Sequence, residues 1–215
     1  MKLDSKARKI FKGFPQEVKD YFYQVDKKCQ KHGIVFRVGG GNNVNAGGGR
    51  CGGYFCDKAK ELAVCIGRSM KSGLEILIHE DCHMDQWLDK KSIWYAENIQ
   101  SGHLRFFSWL LEKKEIRNPT ETAKKVILLE ADCEKRSLRK IKRKWSHLIS
   151  PEEYAKCANA YMFSYLWMAR SRKWVGEYLN RKTFIRHFPD KLKNKYENLP
   201  DQFLLLFSKH EQKQC

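Results

Sequence analysis

The pentapeptide His79-Glu80-Asp81-Cys82-His83 sets two imidazoles and a carboxylate at the spacing of one helical turn. Residues four apart on a helix share a face, so His79 and His83 can reach one metal ion. Glu80 lies beside that face, where it can orient and deprotonate a water held by the ion without being a ligand. Two imidazoles, a base and an open position are what hydrolytic zinc chemistry requires. The expected cofactor is Zn2+, with His79 and His83 as metal ligands and Glu80 as general base. The alternative is a surface helix with two incidental histidines. That would strand polar groups among the apolar neighbours of ILIHEDCHMDQW, which is costly.

A hydrolytic zinc takes three protein ligands. Glu130 is the first candidate for the third. In VILLEADCEKRSLRKI the residues Val126, Glu130, Cys133, Ser137 and Ile141 fall on one helical face, where a carboxylate is costly unless paired or metal-bound. Glu134, one turn on, suits a hydrogen bond to a ligand imidazole. The competing reading gives both glutamates ordinary salt bridges to the surrounding Lys and Arg. An oxyanion donor would come from Tyr154, Tyr161, Tyr165 or Arg172. Tyr161 is the candidate, set against a plain packing role.

With His79, Glu80, His83, Glu130 and Glu134 in place, the chain resembles the gluzincins, the thermolysin-like group in which HExxH is followed by an ExxxD or ExxxE helix. The resemblance covers roughly residues 34–145 and is specific at those five positions. It implies a zinc metallopeptidase acting on a protein or peptide substrate. The chain also looks like uncharacterised peptidase-like proteins of phages and other DNA viruses, in which HExxH precedes a similar E-x-D-C-E-K-R segment. The metzincin pattern fails, because Gln86 and Asp89 stand where its glycine and third histidine belong. A second resemblance is to the Spartan-type DNA–protein crosslink proteases, through HEDCHMDQW and SGHLRFFSW. It implies His103 as third ligand and Trp87 as the family's tryptophan, but the gap is longer and the order is Gly-His.

Several elements must position these groups. A helix is expected from about Pro15 to the Gly33 stop, then a strand at 34–38. The run GGGNNVNAGGGRCGG, residues 39–53, lacks a nucleotide-binding fingerprint and reads as a flexible hairpin tip over a cleft. Residues 54–56 and 62–66 form a hairpin, and the strand LAVCI is expected to be the edge that receives substrate backbone. Ser72-Gly-Leu-Glu75 reads as the capping box of the motif helix, which runs through Trp87. Asn118-Pro119-Thr120-Glu121 opens a helix to about Trp145, and Ser150-Pro-Glu-Glu153 opens another through roughly Leu179. The expected class is α+β: a small antiparallel sheet with the HExxH helix, then a largely helical C-terminal body. A single zincin-like domain over 1–215 is expected, with the sheet and zinc-site core at 34–145 and the helical part at 150–215.

Length and composition agree with a folded chain: 215 residues, 42% hydrophobic and 31% charged. The N-terminus MKLDSKARKIFKGF has no apolar core, so no signal peptide is expected, and no run is long enough to span a bilayer. An intracellular, cytoplasmic location follows as an expectation, virus-encoded if the phage resemblance holds. Most of the eight cysteines, with no CxxC pair among them, read as buried small hydrophobes in a reducing compartment. The net charge of +17, from 42 basic and 25 acidic residues, suits a polyanion as well as a merely solvated surface. Nine basic residues in helix 124–144, with Arg170, Arg172, Lys173 and Trp174, make nucleic acid a candidate partner. The rival function is therefore a basic nucleic-acid-associated protein with a structural, non-catalytic zinc.

Overall fold

A computed structural model describes residues 1–46, 49–175, 179 and 182–212. The chain divides into two compact units, residues 1–89 and 90–215.

The first unit begins with β1 (Lys2–Leu3), α1 (Ser5–Lys12) and α2 (Gln16–Lys31). Asp4 caps α1 by accepting from the Ala7 N–H. Val18, Tyr21, Phe22, Val25 and Cys29 recur at three- and four-residue intervals and are the buried face of α2. The helix stops where Gly33 adopts φ 66°, a conformation natural to glycine. Five more strands follow, of which β3 and β4 pair as a separate hairpin: β2 (Val35–Gly39), β3 (Val44–Ala46), β4 (Gly49–Cys51), β5 (Gly53–Cys56) and β6 (Glu61–Cys65). The main sheet has the order β1-β2-β6-β5.

The α+β class is as expected, but the strands pair otherwise than an all-antiparallel sheet. β1 and β2 are parallel, as are β2 and β6 (Val35 opposite Glu61, Val38 opposite Val64); only β5 is antiparallel to β6. The cause is connectivity. Two helices cross over between β1 and β2, and the β3–β4 hairpin and β5 intervene between β2 and β6, so the chain returns in the same direction each time. The expected 54–56/62–66 hairpin forms as β5–β6. LAVCI is not an edge, however. β6 lies between β2 and β5 with Leu62, Ala63, Val64 and Cys65 buried, as an inner strand covered on both faces should be. The edge strands are β1 and β5.

The motif helix α3 (Met70–Leu88) starts earlier than the expected capping box. Its cap is Ser69, whose hydroxyl accepts from the Ser72 N–H. α3 settles closely on β6, since a Cβ added at Gly73 would come within 2.9 Å of the Ile66 side chain.

The second unit is helical. A 3-10 turn (Ile93–Tyr95) leads to α4 (Ile99–Leu111), α5 (Pro119–Lys140), a π-helical turn (Ile141–Trp145), α6 (Pro151–Ser171), α7 (Lys182–Ile185) and α8 (Asp201–Gln212). Both predicted caps form: Asn118 accepts from the Glu121 N–H and Ser150 from the Glu153 N–H. α6 is buried on nearly every side from Ala158 to Ala169, except Tyr161, which marks it as the central helix. It ends at Ser171 rather than near 179, because Arg172 takes φ 54° and its guanidinium is held by Glu115 at 2.9 Å. Residues 176–178 of the expected extension lie outside the described residues. Buried Phe106, Phe163, Phe184, Phe203 and Phe207 form much of this unit's core.

Candidate metal centre

α3 brings the two motif histidines together. Their Nε2 atoms lie 3.1 Å apart, with the rings nearly perpendicular at 84°. Two nitrogens bound at about 2.0–2.1 Å in a tetrahedral shell sit about 3.4 Å from each other, so the pair is close to the spacing that one zinc demands. Nδ1 of His83 lies 2.8 Å from Oε1 of Gln86, a fully buried side chain one turn on. An amide oxygen can only accept, so Nδ1 carries the proton and Nε2 keeps its lone pair for a metal. Gln86 is a member of the candidate site that sequence reasoning missed. Its signal was the i, i+3 spacing from His83 on the same helix face.

Glu80 is buried at 6% exposure. Its neighbour along the sheet is Gly53 at the start of β5, where an added Cβ would meet the Glu80 Cγ at 3.0 Å and the Ile76 Cγ2 at 2.5 Å. Any larger residue at 53 would push α3 away from the sheet edge. Cys51 is near enough for its thiol to feel Glu80. Burial first, and the Glu80 charge second, raise that thiol to about 12, so it stays a neutral SH. The glycine-rich run thus supplies a short hairpin and then a close approach to Glu80.

The intervening motif residues anchor α3. Asp81 is buried and accepts from Tyr21 Oη at 2.8 Å and from Lys28 Nζ at 2.6 Å; Lys28 also pairs with Asp85. Burial, then the Asp81 charge, pushes the Tyr21 phenol well above its ordinary value. Trp87 packs on Phe55 and His32, with Lys60 Nζ 4.2 Å above its ring.

In the second unit, the face of α5 read from the sequence is buried along its length: Val126, Glu130, Cys133, Ser137 and Ile141, with Glu134 beside them. Tyr161 is half-buried on α6 and its phenol oxygen accepts from Tyr165 Oη at 2.6 Å. Tyr165 is pushed well above its ordinary range by burial first and by the Glu130 charge second. Arg172 sits at the end of α6, bonded to Glu115 and lying over the Trp109 ring. His103 stands half-buried on α4 with its ring against Phe107.

No family model, curated protein or solved structure matches the chain. Among the described residues no helix is long and apolar enough to cross a membrane.

Proposed function

We propose that this protein is a zinc-dependent metallopeptidase in which His79 and His83 bind the ion and Glu80 is the general base. The observation that carries the reading is the 3.1 Å convergence of the two Nε2 atoms on the helix that also bears a buried Glu80. The donor set fits zinc: two imidazoles, one with its tautomer fixed by Gln86. Zinc, when bound, supplies Lewis acidity and makes a water acidic near neutral pH. The chain's own part is proton transfer and orientation. Glu80 accepts the proton of the attacking water and returns it to the departing amine nitrogen.

For the third ligand, Glu130 remains our candidate. Cys133, buried on the same face of α5 and a good zinc ligand as thiolate, is one rival, and the Spartan-type His103 is another. Tyr161 is carried as the candidate oxyanion donor.

Glu80→Gln tests the assignment, because it removes the base while keeping the shape. The variant should retain zinc and lose casein hydrolysis by at least about 100-fold. Cleavage at the wild-type rate would remove Glu80 from the mechanism. The net charge of +17 favours a second reading, a nucleic-acid-associated protein with structural zinc. That reading requires zinc-loaded wild type to cleave neither casein nor a peptide library.

A further inference from the structure

We propose that the end of α5 and the π-helical turn after it form a docking stripe for a nucleic-acid backbone. Residues 135–149 contain seven Lys and Arg and no acidic residue. Lys135, Arg139, Lys142 and Arg143 are all exposed, and their spacing of i, i+4, i+7 and i+8 keeps them on one side of the helix. Among the described residues none of these four has an ion-pair partner. Cations elsewhere on α5 are neutralised instead: Arg136 pairs with Asp132 at 2.8 Å and Lys124 with Glu121 at 2.7 Å. One acid, Glu152, is within electrostatic reach of Lys142.

Positive charge at a helix C-terminus is favourable through the helix dipole, but only within the last turn. That favours Arg139 at the end of α5 and Lys142 and Arg143 in the π-helical turn, and leaves Lys135 outside its reach. The apolar residues of the segment point the other way. Ile141 and Trp145 are buried and Leu138 is half-buried, so the stripe offers no exposed apolar wedge to a lipid surface. At 1.5 Å per residue the four cations span about 12 Å, the axial rise of three to four phosphates on one strand of a duplex. Mixed Lys and Arg on a rigid helix suits backbone contact without base readout.

The experiment uses the full chain and a fluorescein-labelled 20-base-pair DNA duplex, read by anisotropy at 50 and 200 mM salt. Four neutralised phosphates give a log–log slope of about −3.6, a loss of roughly 100-fold between the two salts. Joint Lys135→Glu, Arg139→Glu, Lys142→Glu and Arg143→Glu substitution should weaken binding at least about 10-fold at low salt and flatten the slope. Reversing exposed Lys6, Lys9, Lys27 and Lys58 imposes the same net-charge change and should leave the slope near wild type. Replacing the stripe by four alanines gives the same comparison should the reversals prevent folding. No binding at 50 mM salt, equal losses in stripe and control variants, or equally tight binding of polyglutamate would each overturn the proposal. So would retention on phosphatidylserine vesicles with none on DNA.

Discussion

Replacing Gln86 by leucine removes one acceptor from His83 and little volume. The amide oxygen sits 2.8 Å from Nδ1 in a fully buried position, so no solvent stands ready to take its place. A buried donor left without its acceptor costs about 1–3 kcal/mol. At about 1.4 kcal/mol per decade, that is a 5- to 150-fold loss, which overlaps the 10- to 100-fold typical when a partner of a metal-bound histidine is removed. Gln86→Leu should therefore bind zinc about 10- to 100-fold more weakly at unchanged stoichiometry. Gln86→Glu should hold or tighten it, because a carboxylate accepts more strongly from the imidazole N–H. Competition against a chromophoric chelator measures both affinities. If Gln86→Leu held zinc within two-fold of wild type, Gln86 would have no part in fixing the histidine.

Glu130→Ala should lower zinc affinity more than His103→Ala; the opposite order transfers the third ligand to His103, and loss on Cys133→Ala alone transfers it to the thiolate. Asn159→Ala should destabilise the second unit by about 2–4 kcal/mol in urea melts, since it deprives four groups of their partners. The buried amide donates to the Pro189 and Lys191 carbonyls and accepts from the Lys193 N–H and Tyr196 Oη. Asp4 is held below its ordinary value by the Ala7 N–H first and the Gly40 N–H second. A lowered carboxyl contributes stability above its unfolded pKa, near 4, and loses it as the pH falls through the folded value. Asp4→Ala should thus cost about 1 kcal/mol at pH 7 and progressively less as the pH falls through the folded value, by chemical melts across that range.

The core of the candidate site was legible as a geometric cluster because it is local. His79, Glu80 and His83 are fixed by helical spacing alone, and the caps at Asn118 and Ser150 by chemistry within three residues. The α5 face was legible for the same reason, since Val126 to Ile141 repeat at one period. Sheet order was not. Whether LAVCI is an edge or an inner strand depends on where β2 and β5 pair, which no short window records. Ser69 was passed over because Ser72 and Glu75 also satisfy the capping grammar, and only the helix's true start chooses between them. Gln86 looked like a missing metzincin glycine, while the fold gives it an i, i+3 contact back to His83. Gly53 belonged to a run that read as a loop, although its lack of a side chain admits Glu80.

Zinc stoichiometry tests the central claim most directly. Protein purified without chelators and analysed by inductively coupled plasma mass spectrometry should carry about one zinc per chain, and His79→Ala or His83→Ala should lose it while Glu80→Gln keeps it. Metal-free wild type that takes up no added zinc would contradict the account.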